Sequence, residues 1–431
     1  MDILIEVVWI EELQTIAVLA SNRIFAHLMA MVEFREREKE DCMLSRWTPR
    51  IIFLFAAMQL CVAGAQNPPA VGFSQATADR LKEPGWWPTK GDSPRSQYSG
   101  SAGCAGCHKK IALLQQSTPM YAASVPAAQS DLLANRLPLQ FHEGAFSTSV
   151  TAGQQAVDFS TTDGVNTTLL PAVWAFGSKN GQTYILEKNG VYFESRLSFF
   201  AKTEALDITP GQSPEAPNDL ETALGRKMDI ERARSCFGCH TTAAVTSKVF
   251  EPEKASAGVT CEVCHGPGAA HVASMTSNDP EQATAILNPA HLSPIDSVDF
   301  CGACHSTWAD AMEARGAPGP GMIRFQPYRL EQSRCWGSKG DARITCIACH
   351  DPHQPLVQEP AAYDSKCLAC HAVRSGSRKP TAAKTACKVA VSNCVSCHMP
   401  KYELPQTHTV FTDHAIGVVR GNALQPGNLT R

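Results

Sequence analysis

Cys261-Glu262-Val263-Cys264-His265-Gly266-Pro267-Gly268-Ala269-Ala270-His271 carries two kinds of information. Two cysteines spaced by two residues, with a histidine directly after the second, put two thiols and an imidazole on a single turn of chain. The Gly-Pro turn then lets a second histidine, six residues on, project towards a neighbouring group. Outward from this stretch the same Cys-x-x-Cys-His pentapeptide recurs until there are seven. The thiol pairs are Cys104 and Cys107, Cys236 and Cys239, Cys261 and Cys264, Cys301 and Cys304, Cys346 and Cys349, Cys367 and Cys370, and Cys394 and Cys397. The histidines that follow them are His108, His240, His265, His305, His350, His371 and His398.

With 18 Cys and 14 His in 431 residues, random placement predicts roughly 0.02 such pentapeptides, so the spacing is chemical. It is the attachment signature of c-type haem. Two thiols add across the porphyrin vinyl groups and the adjoining histidine becomes the proximal iron ligand. Zinc is the competing reading, because paired Cys-x-x-Cys units with histidine can close tetrahedral sites. Zinc does not require His immediately after the second Cys, and here that His never fails. The expected cofactor complement is seven covalently bound haem c groups.

Fourteen cysteines lie in the motifs, leaving Cys42, Cys61, Cys335 and Cys387. From Met43 the chain has the anatomy of a secretory signal: Arg46 and Arg50, an apolar run from Ile51 to Val62, then Ala63-Gly64-Ala65. Residues 43–65 are read as a signal peptide cut before Gln66, and 1–42 as an extension from a start placed too far upstream. The alternative is an uncleaved anchor, for which the apolar run is short. Export to a periplasmic, extracellular or cell-surface location suits haem attachment, and leaves Cys335 and Cys387 as either a disulfide or two free thiols. A net charge of −3 gives no sign of nucleic acid. No later apolar run reaches membrane-spanning length, so no integral membrane segment is expected in the mature chain.

The 366 residues after Ala65 amount to about 52 per motif, and a unit near ~50 residues is marginal on its own hydrophobic core. The macrocycles are therefore expected to provide most of the buried apolar surface. Residues 66–100, rich in Pro, Gly and Ser and holding Trp86-Trp87, read as an extended arm. A first-motif segment follows at 101–140, then a β-containing insertion at 141–230. There Ala156–Thr161 alternates, Ala172–Phe176 is apolar, and Tyr184–Leu186 faces Val191–Phe193 across an Asn189-Gly190 turn. From 231 to 431 the motif starts fall 25, 40, 45, 21 and 27 residues apart, too close for separate domains, so a six-haem body is expected. The fold class that results is mainly α and irregular, a multihaem cytochrome c fold organised around stacked haems, with a small antiparallel β insertion.

A sixth ligand makes a c-type iron a low-spin electron carrier, whereas an open position admits small ligands. Outside the motifs the mature chain offers His142, His271, His291, His353, His408 and His414, six histidines for seven irons. His353 follows His350 in His-Asp-Pro-His, and His408 and His414 come after the last motif. The seventh candidate is Met120, although a core methionine is usually a gap-filler.

Three passages carry a likeness to a known family: Tyr98-Ser99-Gly100-Ser101-Ala102-Gly103 ahead of Cys104, Gly258-Val259-Thr260 ahead of Cys261, and His398-Met399-Pro400-Lys401. In them the chain resembles the multihaem cytochromes c related to hydroxylamine oxidoreductase and its tetrahaem electron-acceptor cytochrome. The resemblance implies a histidine where Met120 stands, which marks Met120 as a sixth ligand of altered chemistry. His/Met ligation raises an iron potential above bis-His. Electron transfer through low-spin haems to redox partner proteins is the expected role. A multihaem oxidoreductase acting on a small nitrogen or sulfur compound at a five-coordinate haem is the rival, and self-association stays open.

Overall fold

The computed structural model describes residues 93–419 except 154–155, 247–248, 278–285, 314–319, 337–341, 372–386, 388 and 405. The expected extension, the signal and most of the arm lie outside the described residues.

The dominant element is a nine-stranded antiparallel sheet. Its strands are β1 (Ser124–Pro126), β2 (Leu139–Glu143), β3 (Phe146–Ala152), β4 (Val157–Thr162), β5 (Thr167–Phe176), β6 (Gly181–Lys188), β7 (Val191–Phe200), β8 (Ala205–Ile208) and β9 (Gly225–Lys227). Strands β2 to β8 follow one another as a meander, with β1 added to the end of β5 and β9 to β7. The expectation of a mainly α and irregular fold with only a small β insertion is therefore corrected. Valine, threonine and aromatic residues alternate along these strands as a half-buried pleated surface demands. Tyr184, Phe159, Phe199, Val150 and Leu186 build a core of protein side chains on one face. That core needs no macrocycle, which is why a haem-per-residue argument underestimated the sheet.

The hairpin β6–β7 closes through Asn189 and Gly190, both at positive φ (51° and 78°), with Lys188 opposite Val191. That is the two-residue turn whose twist matches the flanking strands. A second two-residue turn, Gly144-Ala145, joins β2 to β3, with Gly144 at φ 59°.

The other face of the sheet holds Trp174, Phe176 and Ile185, which pack with Met228, Ala233, Phe237 and Ala244. Through this second cluster the helix Ile230–His240, which carries the second motif, lies on the sheet. Phe237, between the two motif cysteines, is fully buried, with ring centroids 5.0 Å from Phe176, 5.3 Å from Phe250, 5.7 Å from Tyr192 and 5.8 Å from Trp174. The remaining motifs are carried by short helices: Gly100–Cys107, Cys261–His265, Pro294–His305, Asp364–His371 and Cys394–His398, with the fifth on a 3-10 turn at Cys346–Ala348. Smaller clusters around Tyr328 and Trp308, and around Val298, Leu330 and Trp336, fill the space between them.

Candidate haem sites

On a helical turn the two cysteines of a motif lie at i and i+3 and the histidine at i+4, so all three project from one face. The helices bring the motifs together in couples. The Cys104 thiol hydrogen-bonds with Cys261, Cys301 with Cys346, and Cys367 with Cys394. In the first couple that bond raises the Cys104 thiol pKa and holds Cys261 down at about 6. Cys239 of the second motif donates to the Ala303 carbonyl inside the fourth at 3.6 Å. Motifs 1 and 3, 4 and 5, and 6 and 7 are thus neighbours through their leading sulfurs, with motif 2 beside motif 4.

Two carboxylates tie two of these couples together, 1 with 3 and 6 with 7, and neither was singled out from sequence. Glu262, inside the third motif and 2% exposed, accepts from the backbone N–H groups of Ser99 (2.8 Å), Gly100 (2.9 Å) and Gly268 (2.8 Å). Asp364, three residues before Cys367, accepts from those of Asn393 (2.7 Å) and Cys394 (2.9 Å). The signal available in sequence was an acidic residue within or just ahead of a motif. Its partners were not available, because one pair of them lies more than a hundred residues away.

Three of the motif imidazoles are fixed by backbone carbonyls. Nδ1–H of His240 donates to the Ala123 carbonyl (3.1 Å), that of His265 to Leu287 (2.8 Å) and that of His398 to Gly417 (2.7 Å). Such a bond fixes the tautomer and leaves Nε2 free to ligate. Phe176 lies nearly parallel to the His240 ring at 4.8 Å. Burial lowers the pKa of His265, His305 and His350 and so favours the neutral form a metal requires.

Two of the candidate distal ligands lie beside a motif histidine. His353 faces His265 with centroids 5.9 Å apart and planes 10° from parallel. His414 faces His350 at 6.3 Å and 43°. Imidazoles on opposite sides of one metal, with bonds of about 2.0 Å each, have centroids about 6.3 Å apart. His414 is held for this place: its Nδ1–H donates to the Thr412 carbonyl at 3.0 Å, and burial takes its pKa to about 4. Beside it, Asp413 accepts from Arg329 Nε (2.8 Å) and Nη2 (2.7 Å) in a buried bidentate pair.

The other candidates are placed differently. Met120 accepts a backbone bond from Val259 at 2.9 Å, two residues ahead of the third motif. His271 lies on the helix Ala269–Ser277, whose Val272 reaches Gly103 of the first motif helix. His291 ends an exposed 3-10 turn, Pro289–His291. His142 and His408, both expected to bind iron, have other partners in the structure. His142 is exposed on β2, with its Nδ1 hydrogen-bonded to Ser147 at 2.8 Å. His408 Nε2 pairs with Asp207 at 2.7 Å, against Phe200, in the turn of the hairpin Lys401–Leu404 and Thr409–Thr412. Cys335 and Cys387 are both free.

The residues present fit a porphyrin. Tyr98 Oη, Tyr328 Oη and Trp336 Nε1 are buried without a hydrogen-bond partner, donors that a polar group of a bound macrocycle would satisfy. Trp336 packs in the same cluster as Cys346. Among the described residues no group of three or more His, Cys, Asp or Glu converges as a metal site.

The family model "Cytochrome c554 and c-prime" matches residues 199–266. The match begins at the end of β7 and runs through the second and third motifs. Among solved structures, an outer cell wall cytochrome, OcwA, is 17% identical with a TM-score of 0.42, covering 75% of this chain and 80% of its own. No curated protein matches. Among the described residues no helix is long and apolar enough to cross a membrane.

Proposed function

We propose that this chain is an exported seven-haem c-type cytochrome that passes electrons between redox partner proteins along haems mounted in couples. The observation that supports it most directly is the His350–His414 pair, whose 6.3 Å ring separation would leave room for one iron held by both. When bound, haem c supplies a one-electron ferric–ferrous centre. The chain's own residues do the rest. The fourteen motif cysteines would hold the rings, the seven motif histidines would give the proximal bond, and His353 and His414 would be the second ligands at the third and fifth motifs. Met120, His271 and His291 are proposed as further second ligands. The closeness of the leading cysteines of motifs 1 and 3, 4 and 5, and 6 and 7 would bring the attached groups near one another. Motif 2 links to this series through motif 4. The proposal keeps the signal at 43–65 and a periplasmic or cell-surface location.

Intact mass of the exported protein tests it, with seven haem increments expected, and bare apoprotein refuting it. One arrangement favours a second reading, a small-molecule oxidoreductase. With His408 Nε2 on Asp207, six distal candidates remain for seven irons. Carbon monoxide decides between the two. A reduced protein whose spectrum is unmoved supports the carrier, and a carbon monoxide-binding, high-spin haem supports the enzyme.

A further inference from the structure

We infer that Glu262 and Asp364 are positioning residues of one kind, each a carboxylate carried by one motif helix that grips the start of its partner helix and sets both the spacing and the field of a haem couple. The inference rests on the haem-carrying reading of the motifs. Its basis is a repeated arrangement. The first four N–H groups of a helix lack intrahelical partners and are normally met by a local N-cap side chain. The helices Gly100–Cys107 and Cys394–His398 have no such bond from their own cap residues, Ser99 and Asn393. Instead Glu262 of motif 3 accepts from Ser99 and Gly100 at the start of motif 1. Asp364, the first residue of the motif 6 helix, accepts from Asn393 and Cys394 at the start of motif 7.

The same two couples have their leading cysteines in contact, Cys104 with Cys261 and Cys367 with Cys394. The carboxylate and the sulfur contact therefore fix one relation, helix to helix, at two points. Glu262 adds a third bond, from Gly268, that shapes the turn leading to His271. A fixed negative charge beside two irons also favours their ferric state, since net charge and hydrogen bonding near a haem set its potential. Loosening the couple and admitting water would likewise favour the ferric state. Removing the charge acts in the opposite direction, so the sign of the shift separates a field effect from mere structural damage.

The test uses the full exported holoprotein with Glu262→Gln, Asp364→Asn and both together. Haem number is read from intact mass, individual midpoints by spectroelectrochemistry, and haem–haem coupling by circular dichroism in the Soret region. All variants should keep seven haems. Glu262→Gln should raise a midpoint within couple 1–3 by at least a tenfold change in the one-electron equilibrium, about 59 mV, and lose that couple's dichroic signal. Asp364→Asn should do the same for couple 6–7, and the couple of motifs 4 and 5 should not move in either. Fully loaded variants with an unchanged Soret signal overturn the clamp, and fully loaded variants whose midpoints stay or fall overturn the field effect. If Glu262→Gln does not assemble, Asp364→Asn at its exposed couple decides, and Glu262→Asp should restore loading. Wild-type protein that carries no haem would refute the functional reading itself, whereas loaded but unmoved variants refute only the clamps.

Discussion

Replacing Arg329 by methionine removes the partner of Asp413, whose side chain is 0% exposed and which takes two charge-assisted bonds from the guanidinium. What remains for that carboxylate is the Ala415 N–H at 2.9 Å. Removing one member of a buried pair leaves an uncompensated charge and costs about 3–5 kcal/mol. At about 2 °C per kcal/mol for a domain of this size, the melting temperature should fall by about 6–10 °C. The urea midpoint should fall at unchanged slope. The damage should reach the iron sites, because the same C-terminal segment holds His414 opposite His350 and offers the Gly417 carbonyl to His398. A high-spin, carbon monoxide-binding haem should therefore appear in Arg329→Met. Arg329→Met combined with Asp413→Leu removes the orphaned charge and should recover most of the stability, since well-packed apolar replacements of buried pairs are often neutral. A loss below about 1 kcal/mol in the single variant, or an unchanged carbon monoxide spectrum, would refute the reasoning.

Phe237→Ala empties the aromatic cluster that seats the second motif on the sheet and should cost about 3–5 kcal/mol in denaturant unfolding. At Gly258, with φ of 70°, an added Cβ would overlap the Tyr121 carbonyl. Gly258→Ala should sharply reduce the yield of folded holoprotein on size exclusion, with Gly106→Ala, which faces open space, as the tolerated control. His353→Ala should convert the third iron to a high-spin form in electron paramagnetic resonance. The same change at His408 should leave the low-spin signals intact, because its Nε2 is bonded to Asp207.

The motifs were legible because their chemistry is local: cysteine, cysteine and histidine on one turn need only their own spacing. The Asn189-Gly190 hairpin was legible for the same reason, since two residues at positive φ write their own turn. The Gly144-Ala145 turn carried a weaker form of that signal, a glycine in the first position of a two-residue loop. Passing over it, and over β1 ahead of it, made the sheet look small. His353, His414 and His408 all entered the candidate roll by position after a motif, and the structure sets the first two beside motif histidines and the third on Asp207. Nothing near His408 in sequence announces Asp207, which is 201 residues away.

By itself, then, the amino-acid order determined the attachment chemistry, the number of motifs and the tightest hairpin, all of which depend on residues within a few positions of one another. The tertiary structure alone decided that a nine-stranded sheet carries its own apolar core and seats the second motif. It alone decided which motifs stand together, which imidazole faces which, and that Glu262 and Asp364 bind helix starts outside their own segments. The physical reason is range. Covalent spacing acts along the chain, whereas packing, axial geometry and the satisfaction of buried N–H groups depend on which distant segments the fold brings into contact.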